Sequence, residues 1–77
     1  MKLNQLQTNN FQPDRLVQAR LAKKWTQPEL AQLLEVTRQT ISSYEKLDGA
    51  TPSPVNLRKL AKWLEVPEGF FFTPLRE

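Results

Sequence analysis

Between residues 26 and 45 the chain reads TQPELAQLLEVTRQTISSYE, and its spacing fits two short helices joined by a tight turn. Thr26 and Glu29 have the separation of a capping box. In that motif the hydroxyl accepts an N–H left open at the helix start, and the carboxylate reaches back to the cap's own amide. Leu30, Ala31 and Leu34 then recur at helical spacing. After Glu35 and Val36, Thr37 is suited to cap a second helix. On that helix Ile41 and Tyr44 point one way, while Gln39, Ser42, Ser43 and Lys46 fall at i, i+3, i+4 and i+7 on the other, with Arg38 at the flank. A short helix that offers arginine, glutamine and small hydroxyls is suited to base edges in a DNA major groove.

At 77 residues the chain is one small domain or one piece of a longer protein. A core of this size is marginal unless its helices pack well. With no cysteine and no histidine, disulfides, Cys/His zinc sites and histidine-dependent nucleophilic catalysis are excluded. The carboxylates Asp14, Glu29, Glu35 and Asp48 have neither a pairing nor a phosphate loop to work with, so no enzyme, metal or cofactor is expected. No apolar run approaches a membrane span, and the N-terminus lacks the apolar centre of a signal peptide, which makes the cytoplasm the default location. The net charge of +3 favours polyanions only weakly. Its arrangement says more: Arg20, Lys23, Lys24, Arg38 and Lys46 lie in or beside the two-helix segment, whereas Glu65, Glu68 and Glu77 lie in the tail.

Residues 1–10 are polar and without periodicity, which reads as a loose arm in which Lys2 is the sole cation. Pro13 suits the first position of a helix running to about Lys24, with Phe11 and Leu16 forming a hydrophobic staple and Leu16, Ala19 and part of Leu21 buried. Trp25 follows as an apolar anchor. Gly49, Pro52 and Pro54 mark a loop, and Ser53 followed by Pro54 starts a fourth helix that reaches about Glu65. Leu57, Leu60, Ala61 and Leu64 form its core stripe, with Arg58, Lys59 and Lys62 outward. Pro67 opens a short fifth helix containing Phe70, Phe71 and Phe72. No segment alternates with period two, so the expected fold is all-α: a compact bundle of five short helices around one core.

Arg20, Thr26-Gln27, Leu30-Ala31, Val36, Ile41-Ser42, Tyr44-Glu45, Pro52-Ser53 and Leu60-Ala61 together resemble the Cro and phage-repressor type of helix-turn-helix domain, over roughly residues 11–72. The resemblance implies a lambda-repressor-like domain whose second helix crosses the phosphate backbone and whose third, about 37–46, lies in the major groove. It also implies homodimers on pseudo-palindromic double-stranded operators, with half-sites ~34 Å apart. By position, Arg38, Gln39 and Ser43 correspond to base contacts. Gln27, Thr37 and Lys46 correspond to phosphate or backbone contacts, and Lys24 is read with them as a non-specific cation. Gln27 has a reason of its own, because it opens a helix whose N–H groups and dipole attract phosphate. Arg20 and Glu45 correspond to a structural ion pair. Two positions depart from the pattern: Glu35 stands where the turn usually has glycine, and Leu47 stands where glycine usually follows the third helix.

Three successive helical aromatics cannot share one inward stripe, so at least one of Phe70, Phe71 and Phe72 is expected to be exposed: on a fraying tail, in a dimer interface completed by Trp63, Pro74 and Leu75, or against a downstream domain. The ending FFFTPLRE resembles a junction to a downstream domain, which leaves 73–77 as a tail or the start of a linker. The leading functional expectation is a sequence-specific DNA-binding transcriptional repressor. The alternative is a protein-interaction or regulatory module, antitoxin-like or the N-terminal part of a longer protein.

Overall fold

The computed structural model describes residues 10–73 and consists of four α-helices and one 3-10 helix, with no strand among the described residues. The α-helices are α1 (Pro13–Ala22), α2 (Gln27–Leu34), α3 (Arg38–Tyr44) and α4 (Pro54–Leu64); the 3-10 helix is Glu68–Phe72. Local chemistry sets the starts. The Thr26 hydroxyl accepts the Glu29 N–H at 3.2 Å, and the Glu29 carboxylate accepts the Thr26 N–H at 2.8 Å, which completes the capping box. Thr37 caps α3 through the Thr40 N–H at 3.1 Å, and Ser53 caps α4 through the Asn56 N–H at 3.2 Å. Helix α1 opens on Pro13 without a side-chain cap.

Three stops share one device. Lys24, Glu35 and Glu65 adopt left-handed backbone, with φ of 62°, 63° and 60°. In each case the next amide reaches back to close the helix: Trp25 N–H to Arg20, Val36 N–H to Ala31 and Val66 N–H to Ala61, at 3.3, 3.0 and 3.1 Å. This is the Schellman pattern, in which an apolar residue after the left-handed one packs back on the helix. Trp25, Val36 and Val66 all pack against the core. A non-glycine residue in this conformation costs about 1–2 kcal/mol, and the apolar anchor that follows offsets it. The turn without glycine at Glu35 therefore keeps positive φ.

The core gathers Leu16 and Ala19 of α1, Leu30, Ala31 and Leu34 of α2, Ile41 and Tyr44 of α3, Leu60 and Leu64 of α4, and Phe71. Helix α2 packs mainly on α3 and also on α4, and the 3-10 helix closes the opposite side against α1 and α4. Gly49 is required by a close approach after α3: a Cβ there would lie 1.8 Å from the Ser43 carbonyl oxygen.

Four sequence expectations need correction. Helix α1 stops at Ala22 rather than Lys24, because Lys24 takes the left-handed turn. Leu21 is 57% exposed, since it lies about 140° around α1 from Leu16 and so faces away from the core. The fifth helix is 3-10, not α, which sends successive side chains about 120° apart. Phe71 accordingly points inward and is fully buried, so it has no surface to offer a dimer or domain interface. Its neighbours are only half-buried: Phe70 lies under the Arg15 guanidinium at 4.8 Å, and Phe72 meets Phe11 edge-on at 6.1 Å. Arm residues 1–9, Pro74 and Leu75 lie outside the described residues.

Candidate nucleic-acid interface

Helix α3 buries Ile41 and Tyr44 and leaves Arg38 and Gln39 exposed at its first turn. Thr37 precedes them, exposed, with its hydroxyl engaged by Thr40. Neither α4 nor the 3-10 helix covers this end, and among the described residues no hydrogen bond engages the Gln39 side chain. Ser42 and Ser43 are half-buried further along. The Ser43 Oγ accepts the Ala50 N–H at 2.8 Å, so this hydroxyl holds the loop after α3 and keeps its own hydrogen to donate elsewhere. Because α3 ends at Tyr44, Lys46 sits exposed in the following turn rather than on the helix.

The attitude of α3 is set by a polar network. Arg20 Nε donates to Glu45 Oε2 at 2.7 Å and Arg20 Nη2 to Glu45 Oε1 at 3.1 Å, a bidentate pair whose side chains are 12% and 6% exposed. Arg20 Nη1 also donates to the Trp25 carbonyl at 2.8 Å. Gln27 Nε2 donates to Glu45 Oε1 at 2.9 Å, and Arg38 Nη1 donates to Gln27 Oε1 at 3.4 Å. These contacts link α1, the corner before α2, α2 and both ends of α3. A nearly buried pair adds little net stability but fixes geometry, because its bonds are directional and losing one partner strands a charge. On the far side of α3, Asn56 Nδ2 donates to the Tyr44 hydroxyl at 3.0 Å and ties α4 to the same helix. No buried side-chain nitrogen or oxygen among the described residues lacks a partner.

At the entrance to α2 the Gln27 side chain is half-buried, and none of the main-chain hydrogen bonds among the described residues uses its N–H. Pro28 has no N–H and that of Glu29 belongs to Thr26, which leaves the Gln27 amide as the open donor of this helix end. Lys24 is exposed beside it. Lys23 instead turns to Glu65, 2.8 Å away, and the hydrogen bond and positive charge of Lys23 hold the Glu65 carboxyl below its usual range. The surface on this side therefore combines exposed cations, an open amide and an uncovered polar helix end, with no cluster of metal-ligating side chains among the described residues.

Sequence reasoning found the cap residues and the exposed residues of α3, and the family resemblance supplied the Arg20–Glu45 pairing. Sequence reasoning missed the bridge by Gln27, the engagement of Trp25's carbonyl and the Asn56–Tyr44 link. Gln27 spaced eleven residues from Arg38 carries no periodic signal, and a main-chain acceptor leaves none at all. Trp63 is 39% exposed on α4, and no ring contact involves it among the described residues. In comparison with known proteins, a family model described as helix-turn-helix matches residues 16–71, a span holding every element from Leu16 in α1 to Phe71 in the 3-10 helix. No curated protein matches the chain significantly.

Proposed function

We propose a sequence-specific transcriptional repressor, on the premise that this chain belongs to the Cro/C1-type helix-turn-helix family of DNA-binding domains. It acts by occupying its operator and needs no chemistry. Helix α3 enters the major groove, where Arg38 and Gln39 meet base edges and the Ser43 hydroxyl donates its remaining hydrogen. Arginine pairs with guanine O6/N7 and glutamine with adenine N6/N7. Lys24, Lys46, Thr37 and the main-chain N–H of Gln27 meet phosphates and set the register. Two copies bind a pseudo-palindromic site with half-sites about one turn apart. Trp63, exposed on α4, is the residue assigned to the contact between copies.

The observation that carries this reading is the uncovered first turn of α3, where Gln39 is exposed and without a side-chain partner among the described residues. Selection of bound duplexes from a random pool yields the operator, its symmetry and its spacing. On that operator Gln39→Ala is expected to lower affinity by about tenfold while leaving random duplex unaffected. Lys24→Ala is expected to lower affinity on every sequence and flatten the salt dependence by about one ion. Equal loss for Gln39→Ala on operator and random duplex rejects the groove reading. A stable monomer with no duplex affinity at low salt points instead to an interaction module.

A further inference from the structure

We propose that the outward face of α4 is a docking surface for an acidic segment of a partner protein, one that brings carboxylates and an apolar side chain to the stripe Val55, Arg58, Lys59 and Lys62. The stripe takes no part in the proposed reading of DNA, so the two roles can fail separately.

Helix α4 reads PVNLRKLAKWL, with three cations and no carboxylate. At about 100° per residue, Leu57, Leu60, Ala61 and Leu64 gather on one side of it, and Val55, Arg58, Lys59 and Lys62 on the opposite side. The first set lies in the core or packs against it. In the second, Val55 is 54% exposed, Arg58 and Lys62 are exposed, and Lys59 is half-buried. Among the described residues no ion pair or hydrogen bond engages the three cations. Glu65, just past the helix, turns to Lys23 at 2.8 Å instead. Lys62 sits in the last turn, where the helix dipole favours a cation. Arg58 stands mid-helix and makes with Lys62 a like-charge i, i+4 pair, which disfavours the helix. Stability therefore does not account for this face.

Charge and shape select the occupant. A second copy would set cations against cations, because a two-fold contact pairs one patch with itself. Trp63 lies about 100° round from Lys62, so the contact between copies assigned to it need not cover the stripe. A phosphate backbone asks for donors throughout, whereas Val55 falls within the stripe's arc, with Arg58 and Lys59 one turn on at either side. An apolar centre with a charged rim is the layout of a protein interface. Complementary potential then calls for carboxylates around an apolar side chain. From Val55 to Lys62 the stripe runs about 10 Å, which suits two to three turns of an acidic amphipathic helix.

The probe is a synthetic fluorescein-labelled amphipathic peptide of glutamate, alanine and leucine, titrated by polarisation into the full chain at physiological ionic strength. A twin peptide carries alanine in place of leucine. The parent chain is expected to prefer the leucine peptide, and Val55→Ser to remove that preference. Arg58→Glu with Lys62→Glu is expected to lower affinity for the leucine peptide at least about tenfold. Arg58→Gln with Lys62→Gln, which removes charge without reversing it, should lower peptide affinity less and leave affinity for the selected operator within about twofold. Lys24→Glu with Lys46→Glu makes the same charge change on the face assigned to DNA, and should alter peptide affinity by no more than about twofold. Equal losses from the two charge reversals overturn the proposal, since the peptide then answers only to net charge. Equal affinity of the parent for the two peptides, or no binding of the leucine peptide, overturns it as well. Operator affinity that falls as far as peptide affinity in the glutamine pair returns the stripe to DNA phosphates.

Discussion

The two sides of this small domain are held by opposite physics. On one side, the segment leading into α1 is joined to the 3-10 helix by rings: Phe11 stacks on Phe71 with centroids 5.8 Å apart, and within the 3-10 helix Phe70 meets Phe71 edge-on at 5.5 Å. On the other, α1, α2 and α3 are tied by the charged hydrogen bonds of Arg20, Glu45 and Gln27. Apolar burial is nearly indifferent to direction and scales with area, so the ring cluster contributes stability. The charged network roughly breaks even on stability, yet it admits few geometries, so it contributes orientation. Under the proposed reading, the side that presents α3 to DNA is the side built from directional bonds.

The largest expected effect tests the apolar side. Phe71→Ala should cost about 3–5 kcal/mol in chemical denaturation, a large share of what a domain this size has. A loss under 1 kcal/mol would mean that the ring cluster is not the stabilising half. Next comes Glu45→Ala, expected to cost about 3 kcal/mol because it leaves Arg20 charged and nearly buried without its partner. The sharper version replaces the pair, Arg20→Met with Glu45→Leu. Denaturation should find stability close to that of the parent, while affinity for the selected operator falls at least about tenfold. Retained specific binding in that double variant would break the division of labour between the two sides.

A smaller effect tests the turn between α2 and α3. Glu35→Gly relieves a left-handed residue at φ 63° and should stabilise by roughly 0.5–1 kcal/mol after the entropy of glycine is subtracted. Destabilisation would show that Glu35 contributes something other than strain. The smallest concerns Lys23–Glu65, an exposed pair. Its carboxyl is held below the usual range in the folded state, so its contribution is present above the ordinary carboxylate pKa and disappears as pH falls through the lowered folded value. Glu65→Gln should therefore differ slightly from the parent at neutral pH and low salt, and match it in acid or in 1 M salt. A difference that persists in acid would point to the left-handed backbone at Glu65 rather than its charge.

Much of the fold was legible because its signals are local. Thr26, Thr37 and Ser53 announce helix starts by hydroxyls acting on amides three residues on, and the Leu30, Ala31, Leu34 and Leu57, Leu60, Leu64 stripes announce buried faces. The stop signals were harder to read. They depend on Trp25, Val36 and Val66 packing behind non-glycine residues, a pattern hidden without knowledge of what they pack against. At the candidate interface, exposure of Arg38 and Gln39 followed from helix phase. The engagement of Ser43 by Ala50 and of Gln27 by Glu45 did not, because both partners arrive from elsewhere in the fold.

The sequence by itself determined where helices begin, which faces are apolar and that α3 carries a polar edge, since each depends on neighbours within about four residues. Tertiary structure decided which of three consecutive phenylalanines enters the core, which way the Gln27 amide turns and how α3 is tilted. Those outcomes depend on groups far apart in the chain whose burial and charge take effect only once the helices have met.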